Sequence, residues 1–402
     1  MAAILQCIQP LYDACFCPGI PFKYRWRLLT LVPINVLAYS LKCLPWIFSR
    51  SYSVVPLRRS PNHSGRALVF TPEFTSNSLR PLHIHVHGGG FIGGIPEMDN
   101  AFCLRMVQET GAVVISVSYR LAPRYPFPAA HENVQDAAAY IVENAERLWG
   151  ANPKLLTLSG CSSGANLALG ISQSLSDTEY PVQGALMFDN PDSGRTNSSI
   201  RSVNPQHINV GAYCTCVWLR NLTLHHFLSY FARLTSASLH GKKPKPPGFP
   251  PYDPLSFLLP LFDVYADSAQ SRKLEDPLLN PIIADIRTLP RKMLFIVAGA
   301  DILLHEVTNF VEHLQKEAEL LNSKEIDMAD STGRYEIQSM VFEGQIHGWL
   351  DPTVVPQLAV TIITNPYDTP IQSDDDRTHG CIAGITLFIF ITCLWPDSGG
   401  NL

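Results

Sequence analysis

The chain has 402 residues, and 30 Lys plus Arg against 35 Asp plus Glu give a formal net charge of −5. Hydrophobic residues supply 46% and charged residues 16%, enough apolar matter for a large core and too little charge for a disordered chain. The acidic balance without a Lys/Arg run argues against a nucleic-acid binder, and the lack of a fixed period or sustained heptad excludes a repeat array or coiled coil.

The opening MAAILQCIQP has no basic n-region, so a secretory signal is not evident. Leu28–Phe48 is mostly apolar and follows Lys23, Arg25 and Arg27, but Pro33, Asn35, Lys42 and Pro45 interrupt it. A spanning helix wants about 20 cleanly apolar residues, so amphipathic helices packed on the protein are the simpler expectation. Residues 1–65 are therefore read as an N-terminal apolar helical segment, a lid or a membrane anchor.

The pattern then alternates. Leu82–Val86, Ala112–Ser118 and Leu155–Leu158 read as strands, Ser163–Ser174 as a helix and Ala185–Phe188 as a strand. Met293–Val297 reads as a buried strand, Leu303–Leu321 as a helix with an apolar stripe, and Ile337–Phe342 as a last strand. Such alternation implies an α/β fold, with a mostly parallel sheet covered by helices on both faces. One α/β domain is expected over residues 66–370. The stretch 191–289, Ser-rich and then rich in Pro and Lys, breaks the rhythm and is read as a helical lid inserted over the sheet. Residues 371–402, with the 15-residue apolar run Cys381–Trp395, are read as an apolar tail. The two apolar ends leave peripheral or anchored membrane contact open.

Gly160-Cys161-Ser162-Ser163-Gly164 follows one strand and opens a helix, the context of a G-x-S-x-G nucleophile elbow. A tight turn there pushes Ser162 out, and the helix N-terminus favours negative charge beside it. An ordinary glycine-rich strand-to-helix turn is the competing reading. About 75 residues earlier, His87-Gly88-Gly89-Gly90 also ends a strand, with glycines that let main-chain N–H groups approach a ligand. Gly89, Gly90 and Ser163 are the expected oxyanion donors; a phosphate cradle is the rival, though the loop fits neither phosphate-binding fingerprint.

The order Ser…Asp…His requires a carboxylate and a base after later strands. Asp301 follows Met293–Val297 and His347 follows Phe342, so His347 would take the Ser162 proton and Asp301 would hold the imidazole. Glu306, Glu343 and His305 are weaker rivals by position. His83, His85 and His87 share a strand face and could suggest zinc, but no further ligand is evident. Cys161 should turn into the core rather than act as the nucleophile. Two C-x-C pairs, Cys15/Cys17 and Cys214/Cys216, fit no zinc spacing, and sequons at Asn62, Asn197 and Asn221 matter only in a secreted protein.

His87–Gly90, Ser118-Tyr119-Arg120-Leu121-Ala122-Pro123, Pro126-Phe127-Pro128-Ala129-Ala130, the elbow, Asp301 and His347 together resemble the hormone-sensitive lipase family of α/β-hydrolases. The resemblance runs from about Pro81 to His347. It implies the α/β-hydrolase fold, hydrolysis of small-molecule carboxylic esters through an acyl-enzyme, no metal or cofactor, and a lid built partly from N-terminal helices. Cys161 stands where that family usually has Asp. A biosynthetic enzyme of the same fold catalysing lactonisation, acyl transfer or condensation on a bulky substrate is the alternative, and a ligand-binding module on a dead scaffold is a third reading. Composition says nothing of the oligomeric state.

Overall fold

A computed structural model describes residues 2–30 (save 19 and 23), 33, 51–73 (save 61 and 62), 78–188, 264–266, 276–299, 304–324 and 334–342. The strands are β1 (Ser53–Ser60), β2 (His63–Phe70), β3 (Arg80–Val86), β4 (Val113–Val117), β5 (Ala151–Cys161), β6 (Gly184–Phe188), β7 (Lys292–Ala298) and β8 (Glu336–Phe342). They form one sheet in the order β1-β2-β4-β3-β5-β6-β7-β8. The β1/β2 and β2/β4 pairings are antiparallel, and all the others are parallel.

The helices that flank the sheet or precede it among the described residues include α1 (Ala2–Phe16), α2 (Asn100–Thr110), α3 (Ala129–Trp149), α4 (Ser163–Leu175) and α5 (Leu304–Lys324), and residues 24–30 are also helical. Successive strand residues point to opposite faces, and the side chains sort accordingly. Leu82, Ile84 and Val86 of β3, Val113, Ile115 and Val117 of β4, and Met293, Phe295 and Val297 of β7 share one core with α3, α4 and α5. The intervening Val114, Leu294 and Ile296 pack on the other face with Phe102, Cys103 and Met106 of α2. Helices thus cover both faces, which is why the central strands read as nearly unbroken apolar runs.

In α3, Ala130, Val134, Ala137, Ala138, Ile141, Val142 and Ala145 are buried, one stripe at helical spacing. The helix ends at Gly150, whose φ of 60° is the left-handed conformation that glycine adopts without a Cβ penalty.

The expectation of helix to residue 65 needs correction. Ser53–Ser60 is a strand that pairs with β2 from Ser53↔Val69 onward. Val54, Val55 and Leu57 favour extended backbone, and Leu57 is buried against the core while Val54 faces solvent. Pro56 is tolerated because β1 is the sheet edge. Most of the 191–289 stretch and all of 371–402 lie outside the described residues. Within that stretch, Tyr265 is buried and stacks on Phe91 at 4.1 Å, and 281–288 form two short 3-10 turns.

Candidate active site

β5 runs into α4 through Ser162, whose φ of 49° and ψ of −119° are a strained combination for a residue with a side chain. The turn can be this sharp because of its glycines. A Cβ on Gly164 would lie 2.1 Å from the Val86 carbonyl oxygen and 2.5 Å from that of His87. The first turn of α4 therefore sits directly against the end of β3, closer than any other residue allows. A Cβ on Gly160 would likewise meet the Gly164 carbonyl oxygen at 2.3 Å. Cys161 is fully buried in the core on the α2 side, as the alternation along β5 requires, and the nucleophile reading of its thiol fails on that burial. Ser162, the next residue, is buried to 6% exposure.

β3 and β5 are parallel neighbours with Val86 opposite Gly160, so the His87–Gly90 loop leaves the sheet beside the elbow. A Cβ on Gly88 would lie 3.0 Å from the Cys161 carbonyl oxygen, which measures how near the two loops come. Gly89 has φ 128°, and its carbonyl accepts from the Ile92 and Gly93 amides at 3.2 and 3.0 Å. Gly90 and Phe91 follow with φ of 61° and 63°. Among the described residues, no acceptor is found for the main-chain N–H groups of Gly89, Gly90 and Ser163. Main-chain donors in such a turn, with the start of α4 beside them, suit a negatively charged oxygen.

His87 is a structural member of this loop. Its ring lies parallel to Tyr119 at 4.4 Å, and Nδ1 donates to the Gly88 carbonyl at 2.8 Å. Burial holds its pKa down to about 4, so the imidazole is neutral and the Nδ1 tautomer is fixed by its carbonyl acceptor. The Tyr119 hydroxyl donates to the His87 carbonyl at 3.0 Å and lies 3.4 Å from Ser163 Oγ, tying the two loops together.

His83 and His85 are occupied in a chain of hydrogen bonds. Asp99 Oδ2 accepts from His85 Nε2 at 2.9 Å, and His85 Nδ1 lies 2.8 Å from the Ser159 hydroxyl oxygen. Ser159 Oγ also lies 2.7 Å from His83 Nε2, and His83 Nδ1 lies 2.9 Å from Thr157 Oγ1, whose hydroxyl donates to the Leu82 carbonyl. Among the described residues no group of three His, Cys, Asp or Glu side chains could hold a metal ion.

Asp301 and His347 lie outside the described residues, as do Glu343 and the side chains of His305 and Glu306. The strands preceding Asp301 and His347 are in place. β7 ends at Ala298 and β8 at Phe342, and the Gly299 amide donates to the Phe342 carbonyl at 2.7 Å. Because β5, β6, β7 and β8 run parallel, their C-terminal ends share one edge of the sheet, the edge from which α/β folds act on ligands.

Sequence reasoning passed over the support beneath the site. His131 of α3 is fully buried; its Nε2 donates to Asn166 Oδ1 at 2.9 Å and its Nδ1 accepts from Tyr265 Oη at 2.9 Å. Asn166 Nδ2 reaches the Leu279 carbonyl at 3.3 Å. Buried polar residues on two helices, His131 and Asn166, were the available signal; the other partner of His131, Tyr265, 134 residues away along the chain, was not.

Residues 83–232 match the family described as having the α/β-hydrolase fold. The chain is 34% identical over 140 residues to an α/β-hydrolase superfamily protein of Schizosaccharomyces pombe, covering 34% of this chain and 40% of that one. It is 32% identical over 177 residues to a 3-O-acetylpapaveroxine carboxylesterase of Papaver somniferum, covering 40% and 55%. The matches thus span about half the length of these relatives or less. Among solved structures, the hyperthermophilic esterase of the archaeon Pyrobaculum calidifontis superposes with a TM-score of 0.54 at 22% identity, over 82% of this chain and 93% of that one. The chain has the α/β-hydrolase fold, and its residues 83–232 are similar to a family of that fold.

Proposed function

We propose that this chain is a serine hydrolase that cleaves small carboxylic esters through an acyl-enzyme. Ser162 attacks the ester carbonyl, and the oxyanion rests on the amides of Gly89, Gly90 and Ser163. His347 takes the hydroxyl proton, passes it to the leaving alcohol, and then activates the water that releases the acid. Asp301 accepts from the imidazole and stabilises its charged form. The observation that carries the reading is Ser162 itself, forced to φ 49° between β5 and α4 beside main-chain donors with no acceptor among the described residues.

The reach of the chain is consistent with these partners. Strands are spaced about 4.8 Å apart, so the β8 end is about 14 Å from that of β5. Five residues from Phe342 to His347 can cover about 16 Å, and Asp301 is three residues beyond β7. The carboxylesterase relative supports the ester class.

A fluorophosphonate probe tests the assignment. The wild-type chain is expected to be labelled at Ser162 and to turn over p-nitrophenyl esters, with kcat/KM rising as His347 loses its proton. Ser162→Ala should lose both. Labelling elsewhere, or turnover retained in Ser162→Ala, would overturn the reading.

A further inference from the structure

We propose that the N-terminal segment docks this protein on the surface of an anionic lipid bilayer, lying on it rather than crossing it. The inference stands on that segment alone and does not depend on how the site is read. Along α1, Ile8, Tyr12 and Phe16 recur at four-residue spacing and form one exposed stripe, with 43%, 53% and 69% of their surfaces open. Phe22, Trp26 and Leu29 continue the exposed apolar surface beyond α1. Six of the fourteen large exposed apolar side chains of the described residues therefore come from residues 8–29. Such clustering marks an interaction site, whereas scattered exposed apolar residues are ordinary.

Charge selects the occupant. Through residue 72 the chain has eight Lys or Arg and one Asp, a net of +7; the whole chain is −5, so the remainder carries −12. The single acid, Asp13, is 2% exposed and faces the body of the protein. Exposed rings within a stretch of chain whose sequence is basic, on an otherwise acidic protein, match an anionic headgroup layer, where rings sit at the interface and cations meet lipid phosphates. Of the eight cations, Arg25 caps α1 and Arg66 is paired with Glu97, so neither is counted toward that contact. Arg27 lies 4.6 Å above the Trp26 ring, one such cation beside one such ring.

The surface is held in place rather than tethered loosely. Arg66 of β2 donates to Gln6 of α1 at 3.2 Å while its guanidinium pairs with Glu97. The Arg25 guanidinium donates to the carbonyls of Ala14, Cys15 and Cys17, closing the C-terminal end of α1. Tyr24 and Leu28 are buried in the core, turning the remaining face outward. Among the described residues no helix is long and apolar enough to cross a membrane, and α1 has fifteen residues with Pro10 and Asp13 inside.

The test is co-sedimentation of the full-length chain with vesicles of phosphatidylcholine alone or with one-fifth phosphatidylserine. Wild type should sediment with the mixed vesicles and about tenfold less with the neutral ones. Phe16→Ser/Phe22→Ser/Trp26→Ser should lose about tenfold or more of that binding and keep wild-type circular dichroism and far-from-surface activity on p-nitrophenyl acetate. Wild type failing to bind the mixed vesicles would overturn the proposal, as would undiminished binding by a folded triple variant. Should ultracentrifugation show that the surface pairs two copies, with the triple variant monomeric and wild-type vesicle binding absent, the occupant is a second chain and the bilayer reading is wrong.

Discussion

Gly164→Ala tests how the elbow is built. The added Cβ would stand 2.1 Å from the Val86 carbonyl oxygen and 2.5 Å from that of His87, where real Cβ contacts essentially never fall below 3.0 Å. Both obstacles are main chain, locked by the β3/β5 and β3/β4 ladders, so no side chain can swing aside. α4 must instead retreat from β3 by about 1 Å, a change of the overpacking kind that typically costs 1–3 kcal/mol. The same retreat carries Ser162 and the Ser163 amide away from Gly89 and Gly90, and a misplacement of about 1 Å can cost about 100-fold in rate. Urea unfolding and fluorophosphonate labelling kinetics read the two effects separately. Gly65→Ala is the control, because its Cβ would meet nothing nearer than the Ser118 carbonyl oxygen at 3.8 Å, and a change within about 0.5 kcal/mol is expected. Wild-type stability and labelling rate in Gly164→Ala would refute the close approach of α4 and β3.

Three further outcomes are expected. Burial depresses the pKa of His83 to about 3 and of His87 and His131 to about 4, so each stays neutral in the fold but charges readily when unfolded. Their contribution is complete above the unfolded value of about 6.5 and is lost as pH falls toward the folded values, about 4 for His87 and His131 and about 3 for His83; by pH 5 each should cost roughly 2 kcal/mol, and urea midpoints that stay level from pH 8 to 5 would contradict this. Phe310→Ala empties a fully buried site edge-on to Phe295 at 5.7 Å, and urea denaturation should register a loss of about 3–5 kcal/mol. Tyr119→Phe keeps the ring stacked on His87 but removes the hydroxyl that donates to the His87 carbonyl. It should cost about 1 kcal/mol of stability and lower kcat on p-nitrophenyl esters more than it changes KM; an unchanged kcat would mean the tie does not position the loops.

Local pattern was enough wherever a residue's role is set by its neighbours along the chain. The parallel strands from β3 onward were legible because burial on both faces demands nearly unbroken apolar runs, and Ala185–Phe188 and Met293–Val297 have them. The elbow was legible because a strand, a glycine pair around Ser162 and a helix follow one another without interruption. Cys161 was placed in the core because the elbow turns its central residue, Ser162, outward. The edge strand Ser53–Ser60 was misread because short runs of Val and Leu around Pro56 do not distinguish a strand from the end of a helical segment. Only pairing with β2 settles it.

The order of residues thus determined the α/β architecture, the strained serine and the glycine loop, since each is a short-range consequence of backbone sterics and of the two-residue and 3.6-residue periods. What only the tertiary structure decided is which distant groups meet. That the start of α4 lies against the end of β3, that Tyr119 bridges the two loops, and that His131, Asn166 and Tyr265 form one buried network all depend on strand order and on chain closure across tens of residues or more. The free energy of such contacts comes from burying polar groups in mutual satisfaction, and no local stretch of sequence records which partner will be there.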